Sequence, residues 1–259
     1  MLSVSPIRAF TDNYIWRLRG VSHDLAVIVD PGEALPVLRE LDRHNLSLTA
    51  ILITHRHNDH VGGVHQLVEA FGDIPVYGPA NERIPAITQR LKEGDEIIPP
   101  GLGIRFRVMD VPGHTAGHIA YYGGGALFCG DTLFAAGCGR VFDGTFEQLA
   151  ASLQRIAKLP PETLVYCAHE YTLDNLGFAK WVEPDNPDLL ARDKEDVARA
   201  GQGEPTIPST LEIELKTNPF LRLDVPSVVS SAERKAGRLL QSAAEVFTVL
   251  RQWKDSEYD

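Results

Sequence analysis

The chain has 259 residues, 44% of them hydrophobic and 23% charged, enough for one large globular domain or a main domain with a smaller one attached. Its 25 Lys and Arg stand against 35 Asp and Glu, a net charge of −10 that argues against nucleic acid as a partner, since phosphates need cations. No apolar run approaches the ~18 residues of a membrane span, the first six residues lack a signal-peptide pattern, and three cysteines without a CxxC pair (Cys129, Cys138, Cys167) suit buried, reduced thiols in a cytoplasmic protein.

The first half reads as short strands. Tyr14 to Leu18 and Leu25 to Val29 flank a turn over Gly20 to Asp24, and Asp30-Pro31-Gly32 breaks the chain. Ala34 to Arg43 reads as a helix with Leu35, Leu38 and Leu41 on one side. Leu48 to Thr54 is the next strand, buried through Ala50-Ile51-Leu52-Ile53. Gly62-Gly63 keeps side chains small beyond it, before a helix bearing Val61, Val64, Val68 and Phe71. Ile74 to Tyr77 is a strand ended by Gly78-Pro79, and residues 104–111, 118–122, 126–130 and 163–168 read as further strands. Thr145 to Ala157 is a helix: Thr145 and Gln148 have capping-box spacing, Phe146, Leu149, Leu153 and Ile156 form its stripe, and Pro160-Pro161 stops it.

After Tyr171 the texture changes. Residues 182–210 are rich in Pro, Asp, Glu and Gly, and Gly201 to Pro208 reads as a loop. Helix signals return at Ser242 and Glu245, with Val246, Leu250 and Trp253 on one face. The pattern predicts an α+β fold of two packed sheets covered by helices. We place a main domain over residues 1–171 and a small helical domain over 172–259.

The chemistry concentrates at the end of the 48–54 strand, in Thr54-His55-Arg56-His57-Asn58-Asp59-His60. Residues two apart on a strand share a side, so His55 and His57 point together, with Asp59 and His60 in the turn that follows. Imidazole and carboxylate donors without a thiolate suit zinc, iron or manganese in a reactive site rather than a structural zinc. Four ligands packed this closely crowd one ion and suggest two. His114, Asp131 and His169 each follow an apolar strand in the same way. His118 already begins the next strand and reads as a structural neighbour, while His23, His44 and His65 read as surface residues.

The run Thr-His-x-His-x-Asp-His, then Gly-His-Thr-x-Gly-His, Gly-Asp-Thr and a late His resembles the metallo-β-lactamase superfamily. Its fold is a four-layer αββα sandwich, so the resemblance implies that fold with a C-terminal helical domain. Thr11-Asp12-Asn13-Tyr14, Gly137-Cys138-Gly139-Arg140, His169-Glu170-Tyr171-Thr172, residues 204–210 and Asn218-Pro219-Phe220 are similar to the hydroxyacylglutathione hydrolase, or glyoxalase II, branch. That resemblance covers nearly the whole chain. It implies two divalent metal ions per chain, zinc first, with iron or manganese as alternatives. His55, His57 and His114 are expected to hold one ion, Asp59, His60 and His169 the other, and Asp131 to bridge both; Asp59, His60 and Asp131 are the expected catalytic residues. Asp131 stands where the best-known lactamases often have Cys, which leans away from antibiotic hydrolysis.

The implied reaction is attack of a metal-bridged hydroxide on a glutathione thioester, S-D-lactoylglutathione to D-lactate and glutathione, with a thiolate leaving. Arg251 and Lys254, three apart on the last helix, are expected to hold the glycine carboxylate, with Arg140 and Tyr171 on the peptide. Phe142 replaces a contacting Tyr of some members and removes one hydroxyl. The expected protein is a cytoplasmic monomer acting on a small molecule. The nearest alternative is a glutathione-persulfide dioxygenase with a single iron, which would not need the full second ligand set.

Overall fold

The computed structural model describes residues 2–258. Its first sheet is built from β1 (Ser3–Ala9), β2 (Asn13–Arg19), β3 (Leu25–Val29), β4 (Ser47–Leu52), β5 (Val76–Pro79) and β6 (Gln89–Leu91), adjacent in that order. The first three strands are antiparallel and the last three join in parallel. Parallel neighbours need crossovers, which are supplied by α1 (Ala34–Arg43) and by the pair α2 (Asn58–Val61) and α3 (Val64–Phe71). Ile15, Ile28, Ile51 and Ile53 of the sheet pack with Val37, Leu41, Val64 and Leu67 of these helices. β1 is not evident in the sequence because Pro6 interrupts it; as an edge strand it tolerates a residue that cannot donate to a ladder.

The α1 stripe differs from expectation. Its buried residues are Ala34, Val37 and Leu41, and Leu35 is exposed. The observed spacing of three then four follows the 3.6-residue turn, whereas the expected spacing of three and three drifts around the helix.

A second set of strands, β7 (Glu96–Ile97), β8 (Phe106–Asp110), β9 (Ile119–Gly123) and β10 (Ala126–Gly130), forms an antiparallel meander. It meets the first sheet at the end of β4: Ile119 N–H donates to Thr54 O at 3.0 Å and Tyr121 Oη to Ile53 O at 2.8 Å. Met1–Asp110 and Ala116–Gly130 form one compact unit.

Val111–Thr115 and Asp131–Asp259 form the other. Here β11 (Leu133–Phe134) and β12 (Gly137–Cys138) make a small hairpin, and α4 (Phe146–Ile156) opens on the full capping box at Thr145 and Gln148. β13 (Leu164–Cys167) pairs with β14 (Ser209–Thr210). The remaining helices are α5 (Thr172–Val182), α6 (Pro187–Gly201), α7 (Leu211–Thr217), α8 (Pro226–Ala236) and α9 (Ala243–Trp253), followed by a π-helical turn, Lys254–Tyr258.

The expected polar stretch after residue 182 is largely α6. Asn186 caps it by accepting from the N–H groups of Asp188 and Leu189, and Pro187 occupies the first turn. Its buried residues are Leu189, Arg192 and Asp196, at helical spacing but mostly charged, so no apolar period marks the helix. Phe178, Phe220 and Phe247 pack together beneath these helices. The three cysteines are buried and unbridged.

Candidate metal centre

The first group of candidate ligands is set by the way β4 ends. Ile53 N–H still donates to Tyr77 O, but Thr54 N–H turns to Asp30 Oδ1 at 2.8 Å. The Thr54 hydroxyl donates to Asp30 Oδ2 at 2.6 Å, so its lone pairs accept from His55 Nδ1 at 3.1 Å. Asp30 Oδ2 also accepts from His60 Nδ1 at 3.0 Å. A carboxylate only accepts, so His60 carries its proton on Nδ1, and His55 does the same against the spent hydroxyl. Both rings therefore present Nε2 lone pairs, the form that binds a metal.

His57 and His60 converge on His55, with ring centroids 4.7 and 4.0 Å from it. Asp59 Oδ2 lies 3.4 Å from His60 Nε2 and accepts from Asn13 Nδ2 at 3.0 Å. His118 stacks on His55 at 4.5 Å and donates from Nδ1 to Ile119 O. The turn holding Asp59 sits directly on the Asp30-Pro31-Gly32 corner: a Cβ on Gly32 would lie 1.9 Å from Asp59 O, so only glycine fits. Asp30 is the residue that the sequence reading passed over as a chain break. It is buried with φ 51° at the end of a buried strand.

The second group forms in the other unit. His114 Nδ1 donates to Arg140 O at 2.8 Å, which turns Nε2 toward Asp131 Oδ2, 3.5 Å away. His169 Nε2 lies 3.4 Å from the same oxygen. The 131–140 loop folds tightly back on itself, since a Cβ on Gly139 would lie 1.9 Å from Asp131 O. Tyr171 stacks on His169 at 4.7 Å, and Phe134 meets that ring edge-on at 5.7 Å. Phe142 is exposed and stands edge-on to His114 at 5.1 Å, an apolar neighbour without a hydroxyl.

All the donors in both groups are imidazole nitrogens or carboxylate oxygens. Such His/Asp clusters could hold a metal ion. Thiol chemistry is shut out nearby: burial raises the pKa of Cys138 to about 11 despite Arg251, and that of Cys167 to about 12, so neither offers a thiolate at neutral pH.

The expected substrate residues also lie in the second unit. Arg140 and Tyr171 reach solvent. Arg251 and Lys254 do not: Arg251 is 1% and Lys254 4% exposed. The Arg251 guanidinium holds Asp255 and Cys138 O and lies over the Phe220 ring, while Lys254 Nζ reaches Asp174 Oδ2 at 3.0 Å.

Comparison with known proteins places this geometry. Residues 12–169 match the metallo-beta-lactamase superfamily, and residues 170–257 match the hydroxyacylglutathione hydrolase C-terminus. A hydroxyacylglutathione hydrolase of Nitrosomonas eutropha is 53% identical over 256 residues, covering 99% of each chain. Among solved structures, the BLEG-1 B3 metallo-beta-lactamase aligns at a TM-score of 0.64 and 26% identity over 85% of this chain and 99% of its own. TTHA1623 in a di-iron-bound form aligns at 0.60 and 29% over 84% and 100%.

Proposed function

We propose, because the chain belongs to the hydroxyacylglutathione hydrolase family of the metallo-β-lactamase superfamily, that it hydrolyses S-(2-hydroxyacyl)glutathione thioesters. S-D-lactoylglutathione, giving D-lactate and glutathione in the second step of methylglyoxal detoxification, is the type substrate. The observation that carries the reading is the match of residues 170–257 to the C-terminal region of that family, which the shared superfamily fold alone does not provide.

On this reading the centre holds two divalent ions, zinc first, with iron or manganese as alternatives. His55, His57 and His114 would hold one, Asp59, His60 and His169 the other, and Asp131, with two carboxylate oxygens, would serve both. Support comes from the donor chemistry, from the two oxygens of Asp131, and from the hydrogen bonds of Asp30, Thr54 and Arg140 that turn imidazole Nε2 atoms outward. When bound, such ions lower the pKa of water toward ~7 and polarise the carbonyl under attack. Asp59, His60 and Asp131 would take part in catalysis by holding the ions. In the net step water adds to the acyl carbon, the C–S bond breaks, the departing thiolate takes up one proton, and the acid loses the other to solvent. A thiol of pKa about 8.5 leaves as thiolate, so the chain needs no separate general acid.

Arg140, Tyr171, Arg251 and Lys254 hold the glutathione part. Residues 1–171 carry the chemistry, and residues 172–259, together with Arg140 and Tyr171, contact the substrate. We place the enzyme in the cytoplasm as a monomer; among the described residues no helix is long and apolar enough to cross a membrane.

The test is the initial rate of metal-loaded protein on S-D-lactoylglutathione and on the same acyl group carried by a thiol without carboxylates. Fast and selective turnover of the glutathione ester is expected. No turnover of either ester overturns the substrate assignment, and one iron per chain with persulfide oxidation would replace it with the dioxygenase reading.

A further inference from the structure

Asp255 occupies the side of Arg251 best shaped for a carboxylate. Its Oδ1 accepts from Arg251 Nε at 3.1 Å and lies 2.9 Å from Nη2. That Nε/Nη2 edge is the fork with which a guanidinium grips a carboxylate, and Nη1 is already committed to Cys138 O at 3.0 Å. The same Oδ1 lies 3.8 Å from Arg140 Nε, so one carboxylate stands between two guanidinium groups. Lys254 repeats the pattern with Asp174 Oδ2 at 3.0 Å. In both pairs the cation is buried and the anion is not: the Arg251 and Lys254 side chains are 1% and 5% exposed, those of Asp255 and Asp174 32% and 56%. The acidic side chains are thus the outward covers of inward cations.

We propose that Asp255, aided by Asp174, sets the affinity for the substrate by competing with its glycine carboxylate for Arg251 and Lys254. This rests on the glutathione reading given above and adds to it a specificity-determining residue. The substrate carboxylate reaches Arg251 only by displacing Asp255, exchanging one anion for another on the same donors. An enzyme that carries −10 overall and binds an anionic substrate then tunes its affinity through a local carboxylate, since distant charges are screened beyond about 8 Å at physiological salt. The rival account is that Asp255 merely orients Arg251 across one helical turn, and it predicts the opposite sign.

The experiment compares metal-loaded wild type, Asp255→Asn and Asp174→Asn on S-D-lactoylglutathione and on S-D-lactoyl-N-acetylcysteamine, which has the same acyl group and no carboxylate. Removing a charged competitor should lower KM for the glutathione ester about three- to tenfold in Asp255→Asn, less in Asp174→Asn, and leave the cysteamine ester within about twofold. Calorimetric binding of S-methylglutathione should tighten by the same factor. An unchanged or higher KM for the glutathione ester in both variants overturns the proposal while leaving the clamp standing. If wild type shows equal KM for the two esters, the clamp itself has failed, and the competition with it.

Discussion

Asp30 is where a single side chain does most to prepare the site. It receives Thr54 N–H, Thr54 Oγ1 and His60 Nδ1, so one buried carboxylate fixes the end of β4, the tautomer of His60 and, through Thr54, that of His55. An Asn at this position can accept at only one atom and would offer N–H where His60 offers its own. Asp30→Asn should therefore weaken metal binding by about ten- to a hundredfold, the usual cost of losing a partner that orients a ligand. Competition against a chromophoric chelator measures it, and wild-type affinity would show that Asp30 does not orient the ligands. The proposed ligands themselves were legible because three His and an Asp within six residues after a core strand have no ordinary structural use. Asp30 was not, because Asp-Pro-Gly has one: it makes turns, and nothing local says that this carboxylate points inward.

At the scale of elements, the helical region is joined to the loop after Asp131 by a polar network. Glu214 of α7 is fully buried and accepts from Arg192 of α6 at 2.6 Å, Ser209 Oγ at 2.6 Å, Ala136 N–H at 2.9 Å and Asn218 Nδ2 at 3.0 Å. Asn218 also donates to the carbonyls of Phe134 and Gly137. Burial works against the Arg192 charge, but Glu214 and Asp196 outweigh it and hold the guanidinium above its ordinary pKa. Asp196 moves the other way from most paired carboxylates: burial raises it despite Arg192. Glu214→Ala leaves the buried Arg192 with only Asp196 and Thr217 as partners and releases the Ala136 and Asn218 contacts. A loss of about 3–5 kcal/mol is expected, as for other broken buried pairs. Urea unfolding reads it from the midpoint at constant slope, and a loss under about 1 kcal/mol would mean that the network is not what holds these elements. The capping box of α4, the Ser242 cap of α9 and the apolar stripes of both were readable, the stripes because they obey the 3.6-residue period. α6 was hidden because its inward stripe is Leu189, Arg192 and Asp196, two charges that only Glu214 and Thr217 make acceptable inside.

At the scale of the whole chain, the proposed ions draw ligands from segments far apart in sequence, from His55 to His169, so their removal should be felt in global stability. A ligand that binds the folded chain at a hundred times its Kd adds about 2.7 kcal/mol. Stripping the protein with a chelator should lower its thermal midpoint, and restoring two equivalents of zinc should recover it. A midpoint indifferent to metal would mean that these residues do not hold an ion. The net charge of −10 acts at this scale too: it speaks against nucleic acid but says nothing of the local cations Arg140, Arg251 and Lys254.

The sequence by itself determined the α+β class and the principal strands of both sheets, and it nominated the seven His and Asp side chains proposed as ligands, because apolar period and ligand chemistry are local properties of the chain. Its later motifs also pointed to the family that comparison established. Tertiary structure decided the rest. It placed Asp30 beneath His60, turned charged α6 inward onto Glu214, and buried Arg251 and Lys254 under Asp255 and Asp174. Each of these is a contact of a charged group whose partner lies outside its own element or whose burial depends on the packing of several. No residue-by-residue pattern carries the cost of desolvating a charge, because that cost is fixed only when its partners are in place.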